Sequence, residues 1–178
     1  MPKPRIVGGI AGGRSLDIPP RGTRPSPARL REALFDILAF QPRGTFLDLY
    51  SGSGAIGLEA ASRGWRSTCV DLSRSAASVA ERNTRNLGLD VTVVQADALD
   101  FARRHPRSYD VVFAAPPYTL ELAPIYQAIV EAGVASEGGL YVLQHPVQFE
   151  LELITNGEPA EVDARRYGSN VLSFVTAQ

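Results

Sequence analysis

The chain has 178 residues, 44% of them hydrophobic and 21% charged, an ordinary composition for one soluble globular domain with a sizeable core. A lone cysteine, Cys69, excludes an internal disulfide framework; no Cys/His cluster has metal-site spacing and no apolar run is long enough to span a membrane, so no metal and a cytoplasmic location are expected. The net charge of −1 hides an asymmetry, because residues 1–45 carry eight basic groups against three acids, or +5, which leaves −6 for the remainder. A basic arm on an acidic body points to a polyanionic partner, although a solvated arginine-rich face gives the same count.

In chain order, residues 5–7 and 15–18 are short extended runs joined by Gly8-Gly9 and Gly12-Gly13, the pattern of a glycine-rich hairpin closed by Pro19-Pro20-Arg21-Gly22. Residues 24–40 read as a helix, with Ser26 as N-cap and Pro27 at the first helical position. Leu30, Ala33, Leu34, Ile37 and Leu38 form its core-facing stripe, and Arg24, Arg29 and Arg31 fall at or near its first turn. Residues 1–44 are thus expected as a hairpin-and-helix extension, and residues 45–178 as the main domain.

Residues 46–50 are an apolar run bounded by glycine and serine, which reads as a buried strand. It turns through Gly52 and Gly54 into the helix-forming residues 55–62, the opening βα unit of a doubly wound domain. Gly52, Gly54 and Gly57 spell the dinucleotide fingerprint, with Asp71 where a ribose-binding acid belongs. The same turn, preceded by Asp48, equally suits S-adenosylmethionine: the acid can meet the ammonium and the helix N-terminus the carboxylate. Spacing does not choose between the two.

Strands at 67–72, 91–96, 109–114 and 139–144 then alternate with helices at 74–87, 99–104 and 120–135, so a mainly parallel sheet is expected. The tail, residues 160–167 and 170–176 joined by Gly168-Ser169, reads as an antiparallel hairpin at the sheet edge. A seven-stranded α/β sheet finished that way, with no second domain, fits a small methyltransferase better than a dehydrogenase. Asp71 ends the second strand and can accept ribose hydroxyls; Asp97 follows the third, where it either faces an adenine amino group or caps the next helix. After the fourth strand comes Ala115-Pro116-Pro117-Tyr118. The prolines fix the backbone and remove competing donors, and Tyr118 offers a flat ring, a combination suited to an amino group on a planar base.

These motifs together resemble the bacterial ribosomal RNA small subunit methyltransferase D family. The likeness runs through Arg5-Ile6-Val7-Gly8-Gly9, Arg24-Pro25-Ser26 with Arg29-Leu30-Arg31-Glu32-Ala33-Leu34-Phe35, and the strand and turn from Phe46 to Ala60. It implies a Rossmann-like class I S-adenosylmethionine-dependent fold and methyl transfer to N2 of a guanine in 16S ribosomal RNA. It places the cofactor on Asp48, Tyr50, Ser51, Gly52, Gly54, Asp71, Leu72, Asp97 and Ala98, and ribosomal RNA on Arg5, Arg14, Arg24, Arg29 and Arg31. A monomer acting on the small ribosomal subunit is expected. One departure matters. The family's amino-methylating motif usually begins with Asp or Asn, and here it begins with Ala115, which accepts no hydrogen bond. The Pro116 carbonyl remains to hold the amine, with Tyr118 stacking on the base, and Gln144 or His145, which end the fifth strand beside the same cleft, are candidates only for tuning the site. A missing hydrogen bond costs on the order of 1–3 kcal/mol, so a slower enzyme is expected. The rival readings are a methyltransferase acting on DNA or a protein glutamine, an RNA-binding or assembly factor that has lost catalysis, and an NAD-dependent oxidoreductase.

Overall fold

The computed structural model describes residues 3–21 and 25–178. In chain order the first elements are α1 (Ala28–Leu38), β1 (Thr45–Leu49), α2 (Ala55–Ser62), β2 (Arg66–Asp71), α3 (Arg74–Leu87), β3 (Val91–Gln95) and α4 (Ala98–Arg104). They are followed by β4 (Tyr109–Ala114), α5 (Leu122–Ala132), β5 (Ala135–Pro146), β6 (Ile154–Thr155), β7 (Glu158–Pro159), β8 (Asp163–Tyr167) and β9 (Asn170–Thr176). Seven strands form one sheet in the order β3-β2-β1-β4-β5-β9-β8, parallel from β3 to β5 and antiparallel at β9 and β8. This is the expected Rossmann-like class I methyltransferase fold. The strand order reverses between β1 and β4, so their carboxyl ends part and leave a crevice.

Alternation along the strands assigns the faces. Phe46, Val111, Phe113 and Val142 pack against α1 and α2, whereas Leu47, Leu49, Val112, Tyr141 and Leu143 pack against α4 and α5. Asp48, Ala115 and Gln144 therefore share the α1/α2 face at the crevice. Gly57 permits the close fit of α2 on β1 and β2: a Cβ there would lie 2.3 Å from Cys69 Sγ. Cys69 is fully buried and its thiol is pushed up by burial, in keeping with an inert core residue.

The structure departs from the expected elements in four places. The N-terminal hairpin has a single antiparallel bridge, Arg5 with Ser15, flanked by backbone bonds between Leu16 and Pro4 and between Ile6 and both Arg14 and Gly13, and its glycine turn rests on α2, where the Ile10 amide donates to the Ser62 carbonyl. Helix α1 begins at Ala28, after an extended Pro27, and Ser26 does not cap it: its hydroxyl donates to Gln144 Oε1 at 3.2 Å. Helix α5 stops at Ala132 because Gly133 adopts the left-handed conformation, and β5 starts at Ala135 with a register irregularity before Val111↔Leu140. The β6–β7 pair is an additional small hairpin.

Candidate active site

The crevice holds a cavity of about 480 Å³ lined on one side by Asp48, Gly52, Asp71 and Leu72, and on the other by Ala115 to Tyr118 and Gln144. The glycine turn builds the first side. Tyr50 leaves β1 with φ 61, a strained value for a non-glycine residue, and Gly54 reaches φ 86 just before α2. The turn is held by Asp71, whose Oδ2 accepts from the Gly52 amide and Oδ1 from the Ser73 amide, each at 2.9 Å. Asp71 thereby presents its carboxylate to the cavity in a fixed pose.

Asp48 is almost wholly buried; its Oδ2 accepts from the Gly57 amide at 2.9 Å. Burial raises its pKa to about 8, the Gly57 amide opposes that shift, and the neighbouring Asp71 charge adds to it. The Ala55 and Ile56 amides, at the first turn of α2, lack intrahelical acceptors and belong to residues that line the cavity. One wall thus offers an acid suited to a cation and, beside it, amides suited to an anion. Leu72 is 66% exposed at the rim. Tyr50 also lines the cavity; burial and the Asp97 charge push its phenol up to about 12.

Three expected cofactor residues lie outside the lining, the first being Gly54, the left-handed residue just before α2. Asp97 caps α4, its Oδ1 accepting from the Asp100 amide at 3.0 Å, and Ala98 is buried in the core beneath α5. The local D-x-x-D pattern before a helix carried that capping signal in the sequence.

The second wall is the Ala115-Pro116-Pro117-Tyr118 segment. Pro117 accepts through its carbonyl from the Leu120 amide at 3.1 Å, whereas no donor among the described residues reaches the Pro116 carbonyl. Tyr118 is tied by its hydroxyl, which donates to Asn170 Oδ1 at 2.7 Å and accepts from Gln144 Nε2 at 3.1 Å. Burial pushes its phenol up, with the Gln144 bond opposing. Ser26, Gln144 and Asn170 come from distant parts of the chain; Gln144 is singled out by its place at the end of the fifth strand, whereas no local pattern announces the bonds that join the three to Tyr118. His145 points to the opposite face, where its Nε2 pairs with Ser173 Oγ at 2.8 Å and its ring packs on Tyr126 and Phe149. Burial holds it below the usual histidine range, and it takes no part in the cleft.

Of the basic residues singled out, Arg5, Arg14 and Arg29 are exposed, and Arg24 lies outside the described residues. Arg31 is 1% exposed and cannot reach a surface ligand. Its guanidinium donates to the Ser26 and Arg5 carbonyls and lies 3.6 Å from Glu59 Oε1. Arg21, not anticipated, is exposed and lines the cavity beside Pro19. Among the described residues no helix is long and apolar enough to cross a membrane, and no cluster could hold a metal ion.

Comparison with known proteins places the chain. It is 36% identical over 118 residues to the ribosomal RNA small subunit methyltransferase D of Escherichia coli, a match covering 64% of this chain and 60% of that protein. A solved Thermus thermophilus hypothetical protein shares 42% identity, with a TM-score of 0.85 over 96% of this chain and 98% of its own. A Thermus thermophilus 16S rRNA N2 methyltransferase, solved with AdoMet and guanosine, superposes at TM-score 0.67 with 18% identity, over 88% of this chain and 44% of its own, a likeness of fold. The profile described as conserved hypothetical protein 95 matches residues 4–176, nearly the whole length. The chain belongs to that family, the one of the ribosomal RNA small subunit methyltransferases D.

Proposed function

We propose that the protein transfers a methyl group from S-adenosylmethionine to the exocyclic N2 of a guanine in small-subunit ribosomal RNA. The observation that carries this is the continuity of one cavity, from the acid-and-amide wall around Asp48 and Ala55 to the carbonyl-and-ring wall at Pro116 and Tyr118. The names of the Escherichia coli relative and of the Thermus thermophilus fold neighbour point to the same substrate class. When bound, S-adenosylmethionine supplies an electrophilic methyl on a sulfonium. The residues fit it: Asp48 faces the ammonium, the Ala55 and Ile56 amides the carboxylate, Asp71 the ribose hydroxyls, and Leu72 the adenine.

The remaining work is positioning. A guanine leaves its RNA stack, lies on the Tyr118 ring and donates an N–H to the Pro116 carbonyl. Its amine lone pair forms the new N–C bond, the methyl–sulfur bonding pair stays on sulfur, and the surplus proton passes from nitrogen to water. Holding the reactants in line supplies most of the acceleration. The test is transfer of labelled methyl to unmethylated small-subunit particles, with label expected at a guanine N2. Cofactor binding without transfer to any RNA would replace this reading with that of an RNA-binding assembly factor, and label in DNA or protein glutamine would redirect it.

The exposed arm arginines give the RNA contact a salt dependence. Arg14→Gln with Arg29→Gln is expected to weaken RNA binding uniformly across sequences. It should flatten the dependence of log affinity on log salt by about two, one for each lost phosphate contact. Filter binding from low to moderate salt measures both, and an unchanged slope removes these residues from the interface.

A further inference from the structure

The cleft wall facing the target amine is poor in side-chain acceptors. The amine has two N–H groups; the proline corner offers it the Pro116 carbonyl, which, like those of Ala115 and Tyr118, has no donor among the described residues. Ala115 contributes a methyl group. An amine held through one N–H can swing about that bond, whereas two acceptors fix both hydrogens and aim the lone pair at the methyl donor. The neighbouring strand carries a second acceptor. The parallel register pairs Ala114 with Leu143, so the next step brings Ala115 beside Gln144, about 4.8 Å away between strands. Gln144 lines the same cavity and is 8% exposed.

Hydrogen-bond polarity sets the amide's orientation. The Tyr118 hydroxyl has one proton, donated to Asn170 Oδ1, so it must accept from Gln144 Nε2. Oε1 is then the oxygen that takes the Ser26 hydroxyl, and its second lone pair has no donor among the described residues. We infer that Gln144 is a catalytic residue of this site, its Oε1 accepting a hydrogen bond from the target amine alongside the Pro116 carbonyl and doing the work that a side-chain acceptor at position 115 would do. The inference rests on the amine-methylation reading above.

The experiment is a two-by-two comparison of the natural chain, Gln144→Leu, Ala115→Asp and the double variant, on methyl transfer to small-subunit particles. Gln144→Leu should lower kcat/KM at least tenfold. Ala115→Asp alone should raise it less than threefold, because the second acceptor is already present. In the Ala115→Asp background Gln144→Leu should cost less than threefold, since a carboxylate on the adjacent strand replaces the lost oxygen. Affinity for S-adenosylhomocysteine by calorimetry should stay within twofold throughout. Equal losses in both backgrounds would assign Gln144 to the support of Tyr118 alone and overturn the inference, as would no loss or a large gain from Ala115→Asp. Guanosine binding to protein loaded with S-adenosylhomocysteine separates the two layers. If the natural chain transfers nothing to RNA, a fivefold loss on Gln144→Leu that Ala115→Asp restores still upholds the acceptor, and its absence overturns it.

Discussion

Glu59→Ala is expected to lower the melting temperature by about 10 °C. Glu59 is fully buried on α2, and three donors bond to its carboxylate, the Val7 amide at 2.8 Å, the Gly8 amide at 3.0 Å and Arg63 Nε at 2.9 Å, while Arg31 Nε forms an ion pair with it at 3.6 Å. Removing it strands the buried Arg31 guanidinium, which burial already disfavours and Glu59 alone opposes, and leaves two arm amides unpaired. Breaking one partner of a buried ion pair costs about 3–5 kcal/mol, and at this chain length each kcal/mol lowers the melting temperature by about 2–4 °C. The damage reaches the cleft, because Arg31 holds the Ser26 carbonyl and Ser26 in turn holds Gln144. Calorimetric melting of Glu59→Ala and of Arg31→Leu with Glu59→Leu checks the argument. The double variant should recover part of the loss, since it leaves no charge buried alone; a single-variant shift below about 3 °C would show that the carboxylate is dispensable.

Arg31 and Glu59 also show where the sequence was legible and where it was misread. Apolar runs of strand length separated by helix-forming stretches carried the sheet, its parallel sense and the closing hairpin, because each buried strand needs continuous hydrophobicity and each crossover needs a helix. The turn at Gly52 and Gly54 and the Pro116-Pro117 corner were legible because their backbones admit few residue types. Arg31 was counted with the basic arm, yet it stands three and four residues before Leu34 and Phe35, on the stripe that packs inward. Glu59 lies in a helix apolar on every side, which was the matching sign. Ser26 had a local reading as an N-cap, and a contact with Gln144, 118 residues away, overrode it. Such tertiary pairing leaves no trace in local spacing, and for that reason the Ser26–Gln144–Tyr118–Asn170 chain emerged only from the fold.

Asp48 gives the second large effect, through pH. Its folded pKa of about 8 stands well above its ordinary value of 3.8, chiefly because the carboxyl is buried. Between those values the unfolded chain carries the charge and the folded chain holds the proton, so the folded state binds more protons and stability must fall as pH rises. The slope from this group is about 1.4 kcal/mol per pH unit across that window. Asp48→Asn, which keeps an oxygen for the Gly57 amide but cannot ionise, should flatten the decline between pH 5 and 8; denaturant melts at several pH values measure it, and parallel curves for the two proteins would remove Asp48 as the source. The same burial makes the site selective for a cation. A ligand ammonium beside the carboxyl restores the charged form, so at pH 7 binding of S-adenosylmethionine should expel close to one proton, and its affinity should rise with pH until about 8. Calorimetry in buffers of different ionisation enthalpy counts that proton directly. An acid left protonated in the bound state would release none, and the ammonium would then have to be held by the turn's carbonyls rather than by Asp48.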